Sequence, residues 1–563
     1  MITPLYLASR ASRPRLRIAV LLDGWTVPRY VATILEDIAR CNFADVVLAV
    51  VLARTHPSRA ERLSELAHDL YVRADRFAGG QSDPLVHVDP GVGLSGAHRL
   101  DLTPEPVGQP WLGADAIEEL RRSDLDVILR FCTAMPRGEV LRTARHGVWS
   151  YHFGGERDAR GGMPFFQQHA ERAPTRDVLL EVLEAEPSAP VILCRSRFGT
   201  RGTVFLAQYR QAAIRETTHF VIWKLHDLHE FGWERLRAQA VAPEAHSSPP
   251  QCAGTPTTTD MVRFLAPRMA TAVANRIRGE RKDHGLSVLW KVGLRRGATP
   301  FGSTPEGTSL DGFRWIDPPP GHFWADPFVI ERAGGTFLLF EDYEYARGFG
   351  SIRGAEVHAD GTLGALFTCL DPGRHLSFPF VFVRDGETFM MPESLSDATV
   401  TLYRARRFPD DWVVEKVLFR GNAVDTTVWD EGGRFYFFPT LHDWDDRGMK
   451  TMLFTAESLT GEWRLHPANP VSSDVRHARN AGAIFRRHGR LFRPSQDCGP
   501  GYGHGLNLEE IVTLSEDRYE ERTWCSVGPV ALPFTAVGVH TFNVGGDLEA
   551  IDACVSLGSR WRW

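Results

Sequence analysis

Carboxylate residues recur in the second half of the chain at positions that could bring them together. Asp326, in the segment WADP, and Asp425, in VDTT, each precede a run of strand-forming residues, and Glu393 ends another such run. A pair of carboxyl groups can cleave a glycosidic bond, because one protonates the leaving oxygen while the other activates water or attacks the anomeric carbon. We predict that these three residues are catalytic. Glu393 is the expected proton donor, since the residues before it, MMP, make its surroundings apolar.

A structural role for the same aspartates is the alternative interpretation, because aspartate at a strand entrance often bonds backbone amides. The distances between the carboxyl groups distinguish the catalytic from the structural interpretation, since carboxyl groups that act on one sugar lie within about 10 Å of each other. No metal ligand is assigned. Other polar and aromatic residues of these segments are predicted to bind substrate, and they are Trp324, Arg479, Asn480, Gln496, Tyr502, His504 and His540.

The elements that would position these residues form a repeat. Four segments align at Asp326, Phe378, Asp425 and Ala481, so they are 52, 47 and 56 residues apart. Each has glycine eight residues later and an aromatic residue eleven residues later. A hairpin repeated about every 50 residues is typical of a β-propeller blade. We predict an all-β five-bladed propeller over 285–563, with a fainter fifth copy near residues 539–546 and a strand at 286–294 that closes the ring.

The first half alternates between strand and helix signals. Apolar runs at 16–22, 44–52 and 125–131, and a run at 147–152 that ends in polar residues, predict a parallel sheet in an α/β domain over 1–245. Ligands of such sheets bind beyond the carboxyl ends of the strands. The fourth run places Ser150 and His152 there. A Ser-, Pro- and Thr-rich stretch followed by a helical pattern predicts a linker and helix over 246–284.

Composition narrows the class of protein. Formal charge is −6 without any concentrated basic stretch, so binding to nucleic acid is a poor expectation. No apolar run reaches about 18 residues and the first residues lack the apolar core of a secretory signal, which predicts no membrane span. The eight scattered cysteines contain no CxxC pair and suggest reduced thiols. We expect a cytoplasmic protein, and the oligomeric state stays open.

The second half resembles a known family through the segments HFWADPFV, SFPFVF…FMMPES, VDTTVW and RNAGAIF…LFRPSQD…YGHG. They are similar to the propeller domain of plant glucosamine inositolphosphorylceramide transferases, which is distantly similar to five-bladed arabinanase- and xylosidase-type glycoside hydrolases. The resemblance implies that Asp326 is a general base and that the partner is a small-molecule sugar or glycoconjugate. Those hydrolases also use a second-blade Asp and a third-blade Glu, where this chain has Phe378 and Asp425. Glycan binding without turnover therefore stays open beside hydrolysis or transfer.

The first half resembles the formyltransferase domain of methionyl-tRNA and sugar N-formyltransferases, over about residues 16–240, through the strand at 125–131, Met135-Pro136, residues 147–152 and the segment RGGMP. That family uses Asn, His and Asp around the formyl group of a reduced folate. His152 fits as the catalytic histidine, Ser150 replaces the Asn, and the nearest carboxylate to the Asp position is Glu186. The resemblance implies a degenerate domain. A folate-dependent N-formyltransferase of an amino sugar, with 10-formyltetrahydrofolate as cofactor, is the alternative function.

Overall fold

The computed structural model divides the chain into two compact units, Met1–Glu280 and Arg281–Trp563. Each is described by itself. Among the described residues, no helix is long and apolar enough to cross a membrane. The structure describes residues 3–52, 66–79, 83–103, 111–154, 165–166, 168, 171, 173, 175–184, 190–200, 206–242, 257–277, 288–297, 300–441, 449–529, 532 and 534–556. The segment 160–164 and Glu186, which figured in the formyltransferase resemblance, lie outside these ranges.

The first unit contains a seven-stranded mixed sheet and helices. Its described helices are α1 (Arg29–Arg40), α2 (Leu66–Gly79), α3 (Ala114–Arg122), α4 (Ala207–Thr217), α5 (Phe220–Phe231), α6 (Trp233–Ala238) and α7 (Thr258–Ile277). Short 3₁₀ helices lie at Thr3–Tyr6, Gly91–Leu94 and Gly138–Arg142. Its strands are β1 (Leu16–Leu22), β2 (Val27–Pro28), β3 (Ala44–Leu52), β4 (His87–Val88), β5 (His98–Leu102), β6 (Val127–Arg130), β7 (Val148–His152), β8 (Thr175–Leu183) and β9 (Val191–Gly199).

The order of the large sheet is β5-β3-β1-β6-β7-β8-β9. The first five strands are parallel, as predicted, whereas β8 and β9 continue the sheet in antiparallel fashion. The central strands β1 and β3 are nearly continuous aliphatic runs, which suit strands buried on both faces. The predicted parallel sheet is confirmed for the first five strands, and the complete sheet is mixed because β8 and β9 follow the part of the chain on which the prediction was based. The α/β class is confirmed.

The second unit is a five-bladed β-propeller. Blades one and two contain β12 (His322–Arg332), β13 (Gly335–Glu344), β14 (Phe349–Glu356) and β15 (Phe367–Leu370), then β16 (Ser377–Arg384), β17 (Glu387–Glu393), β18 (Thr399–Arg407) and β19 (Asp411–Arg420). A 3₁₀ turn lies at Leu395–Asp397. Blades three and four contain β20 (Ala423–Glu431), β21 (Arg434–Leu441), β22 (Lys450–Thr451), β23 (Phe454–Ala456) and β24 (Arg464–Leu465), then β25 (Arg479–Asn480), β26 (Phe485–Arg487), β27 (Arg490–Asp497), β28 (Gly505–Leu514) and β29 (Tyr519–Val527).

Blade five combines strands from both ends of this unit. It contains β10 (Val288–Arg296), β11 (Arg314–Ile316), β30 (Ala536–Gly538), β31 (Phe542–Gly545) and β32 (Leu548–Ser556). β10 pairs antiparallel with β32 along its whole length, from Val288 opposite Ser556 to Arg296 opposite Leu548. The predicted closure of the ring is therefore confirmed. The first strands of neighbouring blades contact one another in turn, which places them around the axis.

The spacing found in the sequence corresponds to one hairpin geometry. The glycines eight residues after the alignment point have φ of 76° to 85°, and the residue before each also has positive φ. Two central residues with positive φ form the turn that matches the twist of a two-residue hairpin. The turn residues are Ala333-Gly334, Asp385-Gly386, Gly432-Gly433 and His488-Gly489.

Candidate active site

A bulge in the first strand of three blades positions the aspartates. The pairing of β12 with β13 shifts between Ala325 and Phe328, and the same shift recurs in blades two and three. The residue in the bulge has φ of 51° at Asp326, 42° at Phe378 and 44° at Asp425. A left-handed backbone costs an L-residue about 1 kcal/mol and persists where the surrounding structure enforces it. The shared conformation confirms the alignment of these three segments.

Asp326 is almost fully buried, and its carboxylate bonds both neighbouring blades. Oδ1 accepts a hydrogen bond of 2.6 Å from the hydroxyl of Thr541, and Oδ2 accepts one of 3.1 Å from the backbone N–H of Phe378. The N–H of Asp326 donates to Oδ2 of Asp552 at 2.9 Å. Burial, followed by the charges of nearby aspartates, raises the pKa of Asp326 to about 6, although His540 opposes the shift. Asp326 is therefore ionised at neutral pH.

His540 and Asp552 form the support behind Asp326. Nδ1 of His540 lies 2.7 Å from Oδ2 of Asp552, and the ring stacks on Trp290 with centroids 3.8 Å apart. Burial opposes charge on His540, but Asp552 and Asp326 raise its pKa overall. The backbone N–H groups of His540 and Thr541 donate to Oδ1 of Asp552 at 3.1 and 2.9 Å. This network ties blade five to blade one.

The same three residues, Asp326, His540 and Asp552, could hold a metal ion, since one ligand atom of each lies within 4.8 Å of the others. Their chemistry does not favour it. A histidine ligates through a neutral ring, whereas the neighbouring carboxylates raise the pKa of His540 and so favour its charged form. The oxygens of Asp552 already accept hydrogen bonds from protein groups. We derive no step through a metal.

Asp425 is held by side chains of blade four. Its Oδ2 accepts hydrogen bonds from Nε of Arg479 and, at 2.9 Å, from Nε2 of Gln496. Nδ2 of Asn480 donates to the backbone oxygen of Asp425 at 2.8 Å. Arg479 also reaches Glu393, with Nη2 at 3.6 Å from Oε2. The guanidinium thus lies between the two carboxyl groups.

Glu393 has the electrostatics of a proton donor. Its Oε2 lies 3.4 Å from the backbone nitrogen of Asp425, which donates to it. Burial and the charge of Asp425 raise the pKa of Glu393 well above its usual range, and Arg479 only partly opposes this. The charge of Asp326 adds to the shift. A buried acid that keeps its proton beside an ionised carboxylate is the pairing that general acid–base catalysis on glycosides uses.

Tyr502 borders this cluster on a glycine-rich loop. The Arg479 guanidinium lies over its ring at 4.6 Å, and the ring of His540 is 5.5 Å away. Tyr502 remains 39% exposed, so it can contact a ligand. Gly503 allows the close approach of this loop, since a Cβ there would lie 2.9 Å from the ring of Trp290. These contacts place Tyr502 between Arg479, which pairs with Asp425, and His540, which lies behind Asp326.

Two predicted substrate-binding residues lie in other surroundings. Trp324 is 5% exposed, packs against Phe340 with centroids 4.6 Å apart, and donates through Nε1 to Asp342 at 3.1 Å. A ring in that position packs in the core of the blade, which corrects its assignment to substrate binding. His504 directly follows Gly503 in the chain. Burial lowers the pKa of His504, and the charge of Asp497 opposes this shift.

The predicted residues of the first unit lie on β7. Ser150 is buried, and its hydroxyl oxygen accepts a hydrogen bond of 3.0 Å from Nη1 of Arg130. His152 is buried at the end of the same strand, opposite Leu179 of β8. Their position at the carboxyl end of a parallel strand agrees with the sequence. Chemistry at these residues stays a prediction.

Three residues of the propeller cluster were missing from the predicted set. Glu341 is the sixth residue after the first residue of its strand, as Glu393 is in blade two, so the repeat puts it at the equivalent strand end although it was not assigned to the site. Asp552 and Thr541 gave no such signal. Blade five places Cys554 at the position that corresponds to Glu341, which hides the role of Asp552 from the alignment.

Residues 317–527 match the family described as glucosamine inositolphosphorylceramide transferase 1, N-terminal. The matched range extends to the end of β29 and therefore covers blades one to four. A relative of that name from Arabidopsis thaliana is 35% identical over 207 residues, which are 36% of this chain and 27% of the plant protein. The protein from Oryza sativa subsp. japonica is 35% identical over 208 residues, which are 36% and 28% of the two chains. The chain thus spans little more than a quarter of these relatives, and the resemblance of its second half is confirmed.

Solved structures with a similar chain path include glycoside hydrolases. An α-L-arabinofuranosidase from Podospora anserina is 11% identical with a TM-score of 0.33, and 48% of this chain and 98% of that one are covered. An arabinanase from Bacillus subtilis is 12% identical with a TM-score of 0.31, over 40% and 92%. The assignment of five blades depends on the strand pairing observed in this chain and not on these similarities.

Proposed function

We propose that the propeller binds a glycan or glycoconjugate at the carboxylate cluster and acts on a glycosidic bond by acid–base chemistry. Glu393 donates the proton to the leaving oxygen, and Asp326 is the base or nucleophile. Asp425, fixed by Arg479 and Gln496, orients the sugar and keeps the pKa of Glu393 high. The observation that carries this proposal is a buried acid with a raised pKa electrostatically linked to a carboxylate with a pKa of about 6.

The comparisons support a sugar as the ligand. The curated relatives are named glucosamine inositolphosphorylceramide transferases, and the range of this chain that matches the family, 317–527, contains Asp326, Glu393 and Asp425. Glucosamine and N-acetylglucosamine glycosides are therefore the first probes, followed by arabinosides and xylosides. Hydrolysis and transfer share the same first half-reaction at the anomeric carbon, so an assay with and without an added sugar acceptor distinguishes them.

The test compares two pairs of matched variants on a panel of p-nitrophenyl glycosides. Asp326→Asn and Glu393→Gln are expected to abolish turnover while sugar binding, measured by the thermal shift of the full chain, is retained. Asp385→Asn is the control for the first, since that side chain is 83% exposed in a hairpin turn. Glu387→Gln is the control for the second, because it lies on the same strand as Glu393 and is 54% exposed. Turnover that survives both site variants would contradict the proposal.

Glycan binding without turnover is the second candidate, and one observation favours it. Oδ2 of Asp425 accepts bonds from both Arg479 and Gln496, and the oxygens of Asp326 accept bonds from Thr541 and Phe378. Carboxylates so fully bonded suit a rigid binding surface. A sugar that raises the unfolding temperature of the wild type, without release or transfer of the aglycone, would identify this function.

A further inference from the structure

Glu341 is a buried acid of the cluster that the proposed mechanism leaves unused. It lies on β13 opposite Ala325, the residue before Asp326, and it is 5% exposed. Its position in blade one is that of Glu393 in blade two. It therefore belongs to the same ring of second-strand ends.

The carboxyl group of Glu341 has an oxygen without a partner. In the described part of the chain, Oε1 is buried and accepts no hydrogen bond. The nearest basic atom is Nδ1 of His375 at 3.8 Å, which is too long for a hydrogen bond. That nitrogen already accepts the backbone N–H of Gly350 at 3.0 Å, so it carries no proton to donate. A buried polar atom left unpaired in this way costs free energy that a ligand can restore.

The backbone beside Glu341 is shaped to leave room for the carboxyl group. A Cβ at residue 350 would lie 2.4 Å from Oε1 of Glu341. Glycine at this position therefore lets the side chain occupy the space between β13 and β14. The carboxyl group is thus held in place while its Oε1 has no hydrogen-bond partner among the described residues.

The ionisable groups around Glu341 are nearly all acidic. Asp326 on β12, Glu393 on β17, Asp425 on β20 and Asp552 on β32 all raise its pKa, and burial raises it further and most strongly. His375 is the neighbouring basic group, and burial lowers its pKa, which favours the neutral ring. These effects favour the uncharged form of Glu341, which has an O–H that can donate and a C=O that can accept.

We infer that Glu341 is a sugar-binding residue of the central site, whose carboxyl group exchanges hydrogen bonds with a hydroxyl group of the ligand. This inference rests on the proposed function. An uncharged acid suits hydroxyl groups, and the carboxylates around it repel anions. The site therefore selects neutral or cationic sugars over uronic acids. Ionisation of Glu341 at higher pH removes the donated bond and weakens binding.

Two variants test this inference in the full chain, using the sugar from the panel that binds the wild type most tightly. Glu341→Gln keeps an uncharged group that donates and accepts, and it should bind within about two-fold of the wild type, without the loss of affinity at higher pH that ionisation of Glu341 causes. Glu341→Leu removes both bonds and should bind about ten-fold more weakly. Binding is measured by calorimetry between pH 6 and pH 9, with a glucuronide as the anionic probe.

Stability separates a ligand-binding role from a structural one. The pKa of Glu341 is raised in the folded state, so its contribution to stability is present below the unfolded pKa and is lost as pH rises through the folded pKa. At pH 8 Glu341→Leu should therefore unfold at or above the temperature of the wild type while it binds sugar less well. A lower unfolding temperature of Glu341→Leu together with unchanged sugar binding would contradict this inference and leave the proposed function unaffected. If the wild type binds no sugar of the panel, the proposed function fails, and this inference fails with it.

Discussion

At the scale of single residues, Asp326 and Glu393 differ in what burial does to them. Burial raises the pKa of both, but Asp326 also accepts a hydrogen bond from the hydroxyl group of Thr541, which stabilises its ionised form. The proposed mechanism uses this difference, with Glu393 as the acid and Asp326 as the base. Two carboxyl groups of the same chemistry would then receive opposite roles from their surroundings.

The pH dependence of turnover follows from these two groups. The base must be ionised, so kcat/KM is expected to fall as pH decreases through about 6, the pKa of Asp326. The acid must be protonated, so kcat/KM should also fall at alkaline pH, where Glu393 loses its proton. A profile recorded from pH 4 to pH 10 checks both limbs. A rate that stays constant below pH 5 would exclude Asp326 as the base.

Arg479 is a residue whose loss is expected to destabilise the propeller. Its side chain is 8% exposed and pairs with Asp425 and Glu393, which are 3% and 7% exposed. Arg479→Met would leave these acids buried without a cation, which is expected to cost about 3 kcal/mol of unfolding free energy. Urea unfolding measures it. Arg486→Met is the control, because its pair with Glu431 is more than 40% exposed on both sides and should cost less than about 1 kcal/mol.

At the scale of elements, the loop between β27 and β28 determines how the rim meets the cluster. Gly503 has φ of 67°, and added side-chain atoms would meet both Trp290 and His540. Gly503→Ala is expected to displace Tyr502, lower sugar affinity and cost about 2 kcal/mol. Gly528→Ala is the control, since nothing lies within 4 Å of its Cβ position and its φ is not positive. Equal effects of both variants on binding would show that the loop has no special role.

The elements also explain what the sequence could and could not predict. Hairpins repeat because a two-residue turn requires positive φ, and glycine marks that requirement in the sequence at Gly334, Gly386, Gly433 and Gly489. Burial of Trp324 was not predictable, because the side that a strand residue faces depends on the bulge two residues further on. Asp552 was not predicted, because blade five has a hairpin turn but lacks the residue spacing that aligns the other four blades. The antiparallel strands β8 and β9 carry no signal that distinguishes them from parallel ones.

At the scale of the whole molecule, the propeller has its own core and closes on itself through β10 and β32. A fragment of residues 281–563 is expected to unfold in one cooperative transition and to bind sugar as the full chain does. A fragment of residues 298–563 lacks β10, so β32 loses the strand that pairs with it along its whole length, and His540 loses the stacked ring of Trp290. It should unfold at a markedly lower temperature and lose binding. Calorimetry of both fragments checks this, and equal stability would show that closure by β10 is dispensable.

The hydrogen bond between Asp326 and Asp552 joins residues that are 226 positions apart in the chain. During synthesis Asp326 leaves the ribosome long before its partner exists, so this bond cannot form while blades one to four are completed. We expect it to form only when β32 pairs with β10 and closes the ring. The support behind Asp326 is therefore expected to assemble late in folding, after the contacts of Asp425 with Arg479 and Gln496 in blades three and four can already form.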